Sequence, residues 1–198
     1  MRVVAFDMGQ VNFAFCSGRK DSTEVIIENM QLQNFLRDET SKRPSPIVLY
    51  EKLFVYLDQF SELWEKTDVI LIEQQFAKAH ATNIKALKLS QHVLAYFMIR
   101  YQFSSKGKRK IVEYASSNKT QYYHMKFKKK KDRKQWAVQQ AQHHFERTDP
   151  VALDWFSSFH KKDDIADCIL MILTYLQVDI PSSSDLDVTE TTTPRENT

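Results

Sequence analysis

A carboxylate closes the first apolar run of this chain, and few folds tolerate one there. The opening stretch MRVVAFDMGQVNFAFCSG sets Val3, Val4, Ala5 and Phe6 before Asp7, puts Gly9 in the next turn, and begins a second apolar run over residues 11–16. Two short runs joined by a Gly-containing turn predict a β-hairpin. An unpaired carboxylate on a buried strand is very costly. Asp7 therefore either meets a cation or caps a turn.

The rest of the chain supplies a sheet and its cover. Residues 24–30 (EVIIENM) predict a third strand, completing an antiparallel meander. Residues 34–46, with Pro44 and Pro46, read as a loop. Helical spacing of Ile47, Leu53, Leu57, Phe60 and Trp64 predicts one helix over 47–66. A fourth strand follows over 68–72 and stops at Glu73, and a second long helix covers 83–101. A basic loop over 104–110 leads into a fifth strand over 110–114. Helical spacing returns over 132–145, and residues 148–162 read as a loop carrying Trp155, Phe156 and Phe159. The last helix, 163–176, is apolar on nearly every face and should be deeply buried. The order β, β, β, α, β, α, β, α, α predicts an α/β fold of the mixed-sheet α+β kind, three antiparallel strands followed by alternating helices and strands.

At 198 residues one domain is expected. It should span 1–178, with the Ser-, Thr- and acid-rich stretch 179–198 as a disordered tail. No apolar run approaches the roughly 20 residues that cross a bilayer, and no leader is seen before the first strand. The expectation is an intracellular protein with no membrane partner. Cys16 and Cys168 lack a CxxC or a His pair at ligand spacing, which disfavours zinc and predicts two reduced core thiols.

The net charge of +3 hides an asymmetry. Between Lys106 and Lys134 stand twelve Lys and Arg residues against Glu113 and Asp132 alone, whereas five acids face only Arg195 beyond residue 178. A basic block of that density is either solvated charge or the footprint of a polyanion.

Three elements carry acids at odd places: Asp7, Glu73, and the group Asp163, Asp164 and Asp167 at the start of the last helix. Residues three or four apart share a helix face, so Asp167 can aim with either Asp163 or Asp164 at one point. Taken singly, these acids also read as a turn residue, a strand end and complements of a helix dipole. Asp167 is different, because one turn inside an apolar helix a dipole role fades. Four carboxylates converging from distant segments repel unless cations intervene, and oxygen-only ligation suits Mg²⁺, or Mn²⁺ in its place. Two such ions about 3.5–4 Å apart support phosphodiester hydrolysis.

On FDMGQVNFAF, LIEQQF, YASSNKT followed by a basic helix, and DDIADCILM, the chain resembles the RuvC-like Holliday-junction resolvases of the ribonuclease H-like superfamily. The similarity covers about residues 1–177 and is nearest to the poxvirus and large-DNA-virus branch. It implies a ribonuclease H-like fold, with Asp7, Glu73, Asp164 and Asp167 as catalytic metal ligands. Asp163 is left as a helix-start acid. The family's functional lysines map to Lys119 in YASSNKT and, among several registers, to Lys134 in DRKQWAV. A lysine here contacts phosphate more often than it takes part in catalysis. Ser116 and Ser117 stand where bacterial members carry Pro and a Gly-rich turn.

The resemblance further implies a Mg²⁺-dependent endonuclease that resolves four-way DNA junctions in recombination or repair. A homodimer is implied by the junction's two-fold character, with 83–101 as its interface. If viral, the protein works in the cytoplasm or nucleus of a host cell. Lys119, Lys128, Lys129, Lys130 and Lys134 would track the DNA backbone. Tyr122, Tyr123 and Phe127 either stack on exposed bases or pack in the core, and Phe76 either wedges into a junction or anchors a loop.

Three other readings compete. One is a related nuclease acting on flaps, branches or RNA–DNA hybrids. Another is an actin-like ATPase, for which Gly9, Gly18 and Gly107 are too few glycines for the phosphate loops. The third is a non-catalytic basic protein, which four acids beside a phosphate path would hinder.

Overall fold

Strand β1 (Arg2–Asp7) is the centre of a five-stranded sheet, and its apolar run reflects that place. The computed structural model describes residues 1–22, 24–37, 45–75, 83–102 and 109–176. The expected tail, Phe76, Gly107 and Pro44 lie outside them. Strands β2 (Phe13–Asp21) and β3 (Glu24–Gln33) extend the sheet antiparallel on one side. On the other side β4 (Val69–Glu73) and β5 (Lys110–Tyr114) run parallel to β1, giving the order β3-β2-β1-β4-β5. The mixed α/β fold predicted above is the one observed.

Both faces of β1 are covered, which is why its residues are apolar without alternation. Val3 and Ala5 point to one layer, Val4 and Phe6 to the other. The Phe6 side holds α1 (Pro46–Asp58), α2 (Ser61–Glu65) and α3 (Ile84–Phe97). There the fully buried Phe6 ring lies 5.4–5.9 Å from the rings of Phe13, Phe15, Trp64 and Phe97. The Val3 side holds α5 (Lys130–Thr148), α6 (Pro150–Ser158) and α7 (Lys162–Tyr175). Helix α7 lies directly on β1 and β2 and buries Ile165, Ala166 and an unbroken run from Cys168 to Thr174, as its all-round apolar sequence required. Cys16 and Cys168 are both free and buried, as expected.

Several expectations need correction. The helix predicted over 47–66 is two, because the chain turns at Gln59 and Phe60 so that Trp64 can enter the core and donate its indole N–H to the Leu57 carbonyl at 2.7 Å. The second strand starts at Phe13, not residue 11, leaving a true loop after Asp7. The last turn of the helix expected over 83–101 widens into a π-helix at Met98–Gln102. An unforeseen short helix, α4 (Ser117–Tyr122), occupies YASSNKT. Residues 148–162 are not a loop: Asp149 caps α6 by accepting from the backbone N–H groups of Val151 and Ala152, with Pro150 in the first turn. Tyr123 and Phe127 are half-buried and pack on Trp136 with ring centroids 5.3 Å away, so each has a part in the core.

Candidate active site

Asp7 and Glu73 end adjacent parallel strands. Phe6 pairs with Ile72 in the register, so the two carboxylates leave the sheet side by side at its carboxyl edge. The amino end of α7 adds Asp164 and Asp167 from the Val3 layer. Lys119, on α4, reaches into this group. Its Nζ donates to Asp167 Oδ1 at 2.7 Å and to Glu73 Oε1 at 3.4 Å, and its side chain is only 3% exposed. Lys119 is thus a buried cation, and both these side-chain partners are carboxylates.

The electrostatics follow from enclosure. Burial, then the charges of Glu73, Asp167 and Asp164, drive the Asp7 carboxyl well above its ordinary range, and Lys119 opposes the shift. Burial alone would lower Lys119, but Asp167, Glu73 and Asp7 outweigh it and hold the ammonium above its usual range. Asp164 is pushed up to about 6, by burial and then by Asp163, while Lys161 and Lys134 pull it down. One buried ammonium faces Asp167, Glu73 and Asp7, Asp164 adds its charge against Asp7, and that imbalance is what a divalent cation corrects. Among the described residues, no three His, Cys, Asp or Glu side chains close on one point as a ready-made metal cage. The fit to Mg²⁺ therefore rests on the all-oxygen donors and on the mutual repulsion felt by Asp7.

Asp163 does not face this group. It accepts from Lys161 Nζ at 2.7 and 2.8 Å and pairs closely with Lys134. Burial would raise Asp163, yet the bonds from Lys134 and Lys161 hold it below its ordinary value. Lys134 also stands 3.8 Å from Asp164, so Asp163 tethers two lysines next to the candidate ligands. Lys128, Lys129 and Lys130 are exposed where α5 begins, away from these contacts.

In front of Asp7 and Asp164 opens a hollow of about 330 Å³ walled by the loop after β1 and by the start of α3. Gly9 belongs to that loop, and a Cβ there would stand 2.6 Å from the Asn12 carbonyl oxygen. Asn83 caps α3 by accepting from the Ala86 N–H at 3.2 Å, which brings Lys85 to the rim. Lys85 and Lys161 were not singled out from the sequence. Only the Lys161-Lys162 pair just before DD was a usable signal, for Lys161.

No protein-family model matches the chain. It is 30% identical to the uncharacterized protein 97L of Invertebrate iridescent virus 3 over 214 aligned positions, covering 87% of this chain and 98% of that protein. It is 26% identical to the uncharacterized protein 170L of Invertebrate iridescent virus 6, covering 87% of each. Among solved structures it is similar to the Fowlpox virus resolvase in complex with substrate Holliday junction DNA: TM-score 0.60, 14% identity, 89% of this chain and 97% of that one. The yeast mitochondrial Holliday junction resolvase Ydc2 gives 0.62, with 20% identity over 88% of this chain and 77% of that one. Thermus thermophilus RuvC gives 0.58, with 12% identity over 89% and 96%. At these identities the structural likeness establishes a shared fold, the RuvC-like form of the ribonuclease H-like architecture.

Proposed function

The chain belongs to one family with protein 97L of Invertebrate iridescent virus 3, on a RuvC-like resolvase fold, and from that premise we propose that it is a divalent-metal-dependent DNA endonuclease resolving four-way junctions. The observation that supports this reading is the grouping of Asp7, Glu73 and Asp167 about the buried Lys119 at one edge of the sheet, with Asp164 acting on Asp7 from the start of α7. Asp7, Glu73, Asp164 and Asp167 are the residues to hold Mg²⁺, or Mn²⁺. Bound there, the metal would lower the pKa of water and stabilise charge on the departing oxygen.

The chain's own residues supply the rest. Lys119, kept charged by its carboxylate neighbours, fixes the orientation of Asp167 and Glu73 and offers a positive centre to the scissile phosphate. Lys134 and Lys161, both tethered by Asp163 next to Asp164, take flanking phosphates, and Lys128, Lys129 and Lys130 extend that path. The core packing around β1 holds the strand-borne carboxylates rigid, which is what in-line attack needs.

Paired cuts across a two-fold junction require two such sites, so we assign a homodimer. The outer side of α3 and of the π-helix that follows it suits this: Ile84, at the start of α3, and Ile99, in the π-helix Met98–Gln102, are 59% and 69% exposed, while the other face of α3 is buried in the core. Asp7→Asn or Asp167→Asn should lower nicking of a synthetic four-way junction at least 100-fold; nicking at the wild-type rate contradicts the reading. Comparing junction, flap, duplex and RNA–DNA hybrid in Mg²⁺ decides between junction resolution and the related nuclease activities.

A further inference from the structure

We propose that a second hollow, on the far side of α4 from Lys119, holds one unpaired nucleotide of the strand being cut; this deepens the endonuclease reading and rests on it. On α4, Ser117 and Gln121 lie two residues from Lys119, roughly 200° around the helix. They line a space of about 710 Å³ that continues over the turn after α4 to Arg133 on α5.

Its chemistry is that of a nucleotide site. Lys126 and Arg133 face it, no acidic residue lines it, and neither cation has an ion-pair partner among the described residues. Two cations without an ion-pair partner lining one space suit a phosphodiester. Gln121 and His124 bring donors and acceptors that can read a base edge, and Phe127 supplies an apolar wall for its face. The size is that of a small-molecule site and far too small for a duplex arm.

The backbone supports the same conclusion. His124 adopts φ 54°, in the left-handed region. It ends α4 with its N–H donated to the Gln121 carbonyl at 3.0 Å, while the Met125 N–H bonds the Thr120 carbonyl at 2.8 Å. Gly or Asn normally fills that position. A histidine there accepts strain that glycine would relieve, and it sets an imidazole on the wall of the hollow. A helix is about 10 Å wide, so a strand leaving the catalytic edge reaches the hollow in about three nucleotide steps at ~3.4 Å each. A four-way junction offers nucleotides near its exchange point whose pairing is readily given up.

The test first maps the nicks made by wild-type protein on a four-way junction, then places 2-aminopurine at each of the four positions on either side of the cut. Fluorescence is read on binding to Asp167→Asn protein. One position, two to four steps from the cut, should change at least twofold, and adding Arg133→Ala or Gln121→Ala should abolish the change. In the cleaving protein those substitutions should raise KM about tenfold, with the loss falling on KM rather than kcat. His124→Gly should keep or raise Tm while losing the fluorescence response, a split that a purely structural residue would not give. If no position responds, or the response survives Arg133→Ala, the hollow does not hold a nucleotide. If the wild-type protein makes no nicks, the endonuclease reading itself falls.

Discussion

At Asp7 burial disfavours the ionised carboxylate, Glu73, Asp167 and Asp164 repel its charge, and only Lys119 offsets them. Removing that charge should relieve the fold even as it disables the site. Asp7→Asn is expected to raise Tm by about 2–6 °C, the shift for 1–2 kcal/mol in a domain of this size, while junction nicking is lost. A drop in Tm would mean that the repulsion is already neutralised. His144 gives a second residue-level prediction, well away from the site. Burial, with Arg147 and His143 adding to it and the Val25 backbone opposing it, lowers its imidazole to about 4 from the ordinary 6.5, and its Nε2 has no hydrogen-bond partner. The unfolded chain therefore takes up that proton first. Stability from this residue is complete above pH 6.5 and drains as pH falls towards 4, by about 3 kcal/mol in all. Denaturant unfolding of wild type and His144→Leu should show a slope over that window in the wild type that is flattened in the variant; equal slopes would sink the idea. Asp163 belongs to the same scale. Its value as a tether was not read from the sequence, because Lys134 lies 29 residues away and Lys161, though only 2 away, is marked by nothing more than the basic pair before DD. Asp7, Glu73 and Asp167 were legible because each is a charge on an otherwise apolar element, whereas the choice of Asp164 over Asp163 came from the family resemblance.

Among the elements, the loop between β1 and β2 is the least forgiving. With the Asn12 carbonyl oxygen 2.6 Å from where a Cβ would stand, Gly9→Ala must move backbone rather than a flexible side chain. We expect the loop to shift and carry Asp7 out of line with Glu73. Nicking should fall by about 100-fold, the scale of a 1 Å misplacement, while far-ultraviolet circular dichroism stays unchanged. Wild-type nicking by Gly9→Ala would show that the loop does not set Asp7. The strands were readable because both faces of β1 and β4 are buried and a continuous apolar run has few other homes. Helix α6 was missed although Asp149 and Pro150 announce it, since adjacent Trp155 and Phe156 blur the helical period and Ser157-Ser158 look like a loop. Helix α4 was missed because six residues are too few for any period to register.

The whole molecule divides its labour across the sheet. The Phe6 layer is an aromatic core that fixes β1, and the Val3 layer brings α7 and its acids over the strand ends. No helix among the described residues is long and apolar enough to cross a membrane. The proposed dimer, with exposed Ile84 on α3 and Ile99 in the π-helix after it at the interface, predicts a solution mass twice the 23.3 kDa of one chain by light scattering, and Ile84→Asp with Ile99→Asp should return it to one. A monomeric wild type would remove the basis for paired cuts. The measurement closest to the central claim is cleavage of a labelled four-way junction by the wild-type protein with and without Mg²⁺. Paired symmetric nicks that require Mg²⁺ are predicted. An intact junction in Mg²⁺, or equal cutting after chelation, would contradict the account.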